Sequence, residues 1–163
     1  MKKFWIQFSI LIITALGLLY LGFNSQFLTP YLPVSGGNLT KTQIQIAGAT
    51  VDVEVADTPS KRSRGLSGRA SLLPNSGMIF AFPEEKKYQF WMKGMKFPID
   101  MIFIRKGVVV DILRNVPILE PNTPDQNLPL YSPVAPIDML LEVTAGFTDA
   151  QNVRVGDSVF LIK

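Results

Sequence analysis

The stretch Ile99-Asp100-Met101-Ile102-Phe103-Ile104-Arg105-Lys106-Gly107-Val108-Val109-Val110-Asp111-Ile112-Leu113-Arg114-Asn115-Val116 sets the fold class. Two runs rich in branched and aromatic residues flank a Lys-Gly pair. That pattern predicts a β-hairpin, with strands over 99–105 and 108–116 and a turn at Lys106-Gly107.

The same grammar extends in both directions. Upstream, Ile44 and Ile46, then Val51, Val53 and Val55, alternate with polar or small residues around Gly48, which predicts another hairpin. Thr58-Pro59 suits an N-cap followed by proline in the first helical turn, so Ser60 to Arg64 is expected to be a short helix ended by Gly65. Gly77 to Phe82 reads as a strand stopped by Pro83, and Tyr88 to Met92 as the next strand. Downstream, residues 117–136 carry prolines at 117, 121, 124, 129, 133 and 136 and read as a long irregular loop. Met139 to Val143 and Ser158 to Ile162 are further strands, with a helical turn over Phe147 to Asn152. Many short strands with little helix predict a mainly β domain, a sandwich or barrel of jelly-roll type with one or two short helices.

The β-rich part occupies 39–163. Ahead of it, Phe4 to Phe23 holds twenty residues without a charge. As a helix it would span ~30 Å, the thickness of a bilayer's hydrocarbon core. Trp5 and Tyr20 sit near its ends, where interfacial aromatics belong, and Lys2 and Lys3 precede it. The expectation is one transmembrane anchor within 1–25, N-terminus cytoplasmic and domain outside, followed by a Pro- and Gly-containing linker over 26–38. The alternative is a signal peptide cleaved to release a secreted domain. No good small-x-small site follows Phe23, which disfavours it.

Composition excludes several chemistries. The 163 residues include no Cys and no His, which rules out disulfides, Cys/His zinc sites, and Ser-His-Asp or Cys-His catalysis. No catalytic set, cofactor motif or metal motif is recognisable. The net charge is +3, but beyond Lys2 and Lys3 the chain carries 14 bases against 13 acids. A domain that close to neutral is not expected to bind nucleic acid.

Arg64-Gly65-Leu66, Arg69, Gly77-Met78-Ile79-Phe80, Phe82, Phe90-Trp91-Met92-Lys93, Pro98-Ile99-Asp100, Val116-Pro117, Leu141-Glu142 and Gly156-Asp157 follow one another in order. Over about residues 50 to 162 this resembles the family catalogued as domain of unknown function 192. The resemblance implies a compact β-sandwich, often behind a signal or anchor segment, and no established activity. Many members carry Asn-Thr where this chain has Gly94-Met95, and relatives often place Cys in the proline-rich loop, where this chain has none.

The candidate binding residues are Arg64, Arg69, Trp91, Lys93 and Asp100. Trp91 could be an aromatic platform or plain core. Asp100, set among apolar neighbours, could be a solvent-facing or salt-bridged acid, or a cleft carboxylate paired with Arg64 or Arg69, a pair that could equally be a structural clasp. The two arginines could grip an anion or decorate the surface. Glu142 and Asp157 carry a weaker signal, as a carboxylate pair of the kind glycosidases use. The leading reading is a membrane-tethered binding module without a cofactor, facing an envelope glycan, small molecule or envelope protein. The alternative is a carboxylate-dependent hydrolase of envelope glycan, which requires two acids in one cleft.

Overall fold

The computed structural model describes residues 39–120 and 122–162. The expected anchor over 4–23 and the linker over 26–38 lie outside the described residues. Among the described residues, no helix is long and apolar enough to cross a membrane.

The central hairpin forms as read: β4 (Ile99–Arg105) pairs antiparallel with β5 (Val108–Val116). Its turn is held from outside, where the Asp138 carboxylate accepts from the Lys106 amide at 3.1 and 3.2 Å. The first hairpin is β1 (Thr40–Ile46) with β2 (Ala49–Ala56). Helix α1 (Pro59–Arg64) starts at Thr58, whose hydroxyl accepts from the Lys61 amide at 3.3 Å, and is capped at its end by Gly65. β6 (Ile137–Thr144), a four-residue helix α2 (Phe147–Ala150) and β7 (Val159–Ile162) also match their expected places.

Two local expectations fail. Strand β3 (Ser76–Lys86) does not stop at Pro83 but runs through it. Its pairing with β6 breaks between Ala81 and Lys86. Proline has no N–H to offer a ladder, and it is tolerated where the ladder is already interrupted. Conversely, 88–92 is not a strand of the sheet. It makes one bridge, Phe90 with Tyr131, through two backbone hydrogen bonds of 2.9 Å.

The seven strands among the described residues belong to one sheet, in the order β5-β4-β6-β3-β2-β1-β7. The two-sheet sandwich is therefore not the architecture. Nor is the jelly-roll likeness, because β2 and β3 run parallel, joined by the segment that carries α1. The sheet curls until its edges touch. Val108 bridges Ser158, the Val159 amide donates to the Gly107 carbonyl at 2.8 Å, and Val109 exchanges two bonds of 2.9 Å with Asp157 and Gly156.

Curling gives the sheet an inner and an outer face, and both are apolar in the middle. Ile44, Ile46, Val51, Val53, Ile79, Ile102, Ile104, Leu141 and Val143 form one buried cluster. Ala56, Met78, Phe80, Ile99, Met101, Phe103 and Leu140 form a second, covered by Leu66 and Met92 from outside the sheet. Strand β4 contributes alternate residues to each cluster. That is why its first six residues are all buried and why, Asp100 apart, they are apolar.

Candidate functional site

The cover over the second cluster leaves a gap. A half-open cleft of about 370 Å³, solvent included, lies where α1, the turn after it and the 90–95 segment meet over β3 and β6. Leu66, Phe80, Met92 and Glu142 contribute buried groups to its lining, while Arg62, Arg64, Ser67, Trp91 and Lys93 contribute exposed or half-buried ones.

Each wall has a local cause. Arg62 clamps α1 to β3: its Nη1 donates to the carbonyls of Asp57 (2.8 Å) and Ala81 (2.7 Å), and its guanidinium lies 5.2 Å from the centre of the Phe82 ring. The other wall depends on Gly94. Its φ of +73° is a left-handed conformation, its carbonyl accepts from the Gly68 amide at 2.8 Å, and a Cβ there would collide with the Ser67 hydroxyl.

Glu142 is the chemically unusual group. It lies on the outer face of β6, with Met78 of β3 and Met101 of β4 as its register neighbours. It is 6 % exposed. Burial pushes its carboxyl up to about 8, with no hydrogen bond or ion pair opposing the shift. No fully sealed side-chain oxygen among the described residues lacks a partner, so the Glu142 oxygens open into the cleft. At neutral pH this side chain is a carboxylic acid, able to donate a proton to an acceptor.

Three of the five sequence candidates come together here. Trp91 is 51 % exposed at the rim, and its neighbours Phe90 and Met92 turn inward to the core. Arg64 makes no ion pair among the described residues. Lys93 reaches Asp125 at 2.6 Å, with both side chains more than half exposed.

Arg69 and Asp100 are placed elsewhere. Arg69 grips Glu54 with two parallel bonds of 2.7 and 2.8 Å. That bond to Arg69 holds the Glu54 carboxyl below its usual range. Asp100 pairs with neither arginine. It is fully buried: Oδ1 accepts from the amides of Asn115 (2.8 Å) and Gly146 (3.2 Å), and Oδ2 from the amide (2.9 Å) and hydroxyl (2.7 Å) of Thr148. It is a structural clasp.

Glu142 is the one carboxylate in the cleft lining. Asp157 is committed to its own turn, accepting from the Arg154 amide at 2.8 Å. Glu54 lies on the same sheet face as Glu142, two strands away with Met78 between them in register. Strand spacing separates their backbones by ~10 Å. The intervening Met78 is fully buried, and Glu54 does not reach the cleft. Glu142 carries only a weak signal in the sequence, because thirteen acids offer many possible carboxylate pairs.

A family model described as "Uncharacterized ACR" (DUF192) matches residues 42–161. No curated protein matches the chain. Two crystal structures share the fold. One, from Sinorhizobium meliloti 1021 and described as a candidate transcription regulator, is 28 % identical, with a TM-score of 0.68 over 76 % of this chain and 95 % of that one. The other, a protein of unknown function from Novosphingobium aromaticivorans DSM 12444, is 25 % identical, with a TM-score of 0.67 over 79 % of this chain and 89 % of that one.

Proposed function

We propose, for a chain that belongs to the DUF192 family, that its domain is a binding module tethered to the membrane by residues 4–23 and presented outside the cytoplasm, with the cleft over Glu142 as its ligand site. The observation that carries this reading is Glu142 itself. A carboxyl 6 % exposed, without a partner among the described residues, and opening into a cleft is stabilised once a ligand supplies one. Arg64 and Trp91 at the rim add a cation and a flat apolar surface. The ligand is a small envelope component or a protruding part of a larger one.

The hydrolase reading draws less support, because a carboxylate pair needs two acids on one substrate and the cleft lining holds one. A nucleic-acid role, suggested by the description of the S. meliloti structure, gains nothing from a balance of 14 bases and 13 acids.

The test is a thermal-shift screen of the full chain against saccharides, peptides and phosphorylated small molecules. A compound that binds only the folded state raises the melting temperature by mass action. A reproducible rise that disappears in Trp91→Ala supports the site. A screen without any rise, or one whose rises survive Trp91→Ala and Arg64→Gln, overturns it.

A further inference from the structure

Three chemistries meet at the cleft. Arg64 offers a guanidinium without an ion pair among the described residues, suited to bidentate contact with a carboxylate. Trp91 offers an exposed indole, the surface on which the C–H face of a pyranose packs while its hydroxyls stay wet. Glu142 offers a buried carboxyl without a partner among the described residues. The cleft is shallow and half-open, so a ligand would rest on its rim residues more than sink into an enclosed cavity. Its open side leaves room for the rest of a polymer.

Resting on the reading of this cleft as a ligand site, we infer that the ligand is an anionic saccharide: a pyranose packed on Trp91, its carboxylate on Arg64, and one of its hydroxyl or acyl oxygens accepting from Glu142. A second cation is within reach. The Lys93–Asp125 pair is exposed, and exposed pairs hold so weakly that Lys93 can exchange Asp125 for a ligand carboxylate.

The protonation of Glu142 makes the charges compatible. An ionised Glu142 would repel an anion, but burial raises this group to about 8, so at neutral pH it donates instead. The charged groups facing it are Arg62 and Arg64 from α1 and Lys93 from the 90–95 segment. Its strand neighbours Met78 and Met101 are uncharged, and Glu54, the next acid along the row, is paired with Arg69. Loss of anion binding with rising pH therefore belongs to Glu142.

The experiment is calorimetric titration of the full chain, held in a non-glycosidic detergent, with methyl glucuronide and methyl glucoside. At pH 7 the glucuronide is expected to bind at least about tenfold more tightly. Arg64→Gln reduces that preference and Arg64→Gln with Lys93→Gln removes it; a preference that survives both overturns the inference. Between pH 7 and pH 9 glucuronide affinity falls by about tenfold in the natural chain and stays level in Glu142→Gln. Arg64 is exposed, so its variant keeps the fold, which circular dichroism checks. Equal binding of the two sugars, or no heat from either, overturns the inference. If neither sugar binds but another compound class still gives a thermal shift lost in Trp91→Ala, the anionic saccharide falls and the ligand site stands.

Discussion

Asp100 and Thr148 lie 48 residues apart, yet both the amide and the hydroxyl of Thr148 donate to Asp100 Oδ2, at 2.9 and 2.7 Å. With Oδ1 on Asn115 and Gly146, the carboxylate ties the ends of β4 and β5 to the turn that opens α2. Replacing it by alanine leaves three buried or half-buried amides without a partner, so Asp100→Ala is expected to cost roughly 3–4 kcal/mol. Urea denaturation reads this directly. A loss under about 1 kcal/mol would show that the clasp is not needed.

Glu142 makes stability depend on pH in an unusual direction for an acid. Its pKa is about 8 in the folded chain against 4.5 for an ordinary glutamate, so the folded state holds a proton that the unfolded state releases. The contribution of Glu142 to stability is greatest below about 4.5, declines between the two values, and levels off above the folded one. The natural chain is expected to lose a few kcal/mol more than Glu142→Gln between pH 4.5 and pH 8.5. Parallel denaturation curves for the two proteins would sink the idea.

Arg69 and Glu54 form a bidentate pair about a quarter to a third exposed, with Glu54 held below its usual range by that bond. A double-mutant cycle should give a coupling of about 1 kcal/mol at neutral pH, fading as acid protonates Glu54. Ligand affinity should not change, because neither residue lines the cleft.

Gly94→Ala meets two obstacles, a left-handed backbone and the Ser67 hydroxyl. A loss of about 1–2 kcal/mol is expected from the pair of effects. Adding Ser67→Gly should restore the part caused by the collision and leave the part caused by φ. A double variant no more stable than Gly94→Ala would show that the collision contributes nothing.

A reporter enzyme active only outside the cytoplasm, fused after Lys163, tests the tether. Activity together with an uncleaved mass is the expected result. Activity with loss of the first 25 or so residues would favour the secreted alternative.

The sequence disclosed what local rules govern. The 99–116 hairpin, the Thr58-Pro59 start of α1 and the turn at Gly48 each depend on residues within a few positions, and each stands where it was expected. Features set by distant chain segments were hidden. Pro83 lies inside a strand because the β3–β6 ladder is already broken there, and 88–92 leaves the sheet to cover Met101 and Phe103. The site shows the same division. Trp91, Lys93 and Arg64 belong to motifs visible in order along the chain, whereas Glu142 becomes a buried acid only because Leu66 and Met92 roof the outer face of β6. Asp100 looked like a partner for an arginine, and only the fold brings Thr148 to it.

Strand β1 is the route by which the domain joins everything ahead of Thr40, and it is bonded on both sides, to β2 over seven residue pairs and to β7 over four. A pull transmitted along β1 would strain these two ladders in shear, many hydrogen bonds at once, instead of opening them one after another. Strand β1 therefore cannot leave the sheet without breaking both ladders.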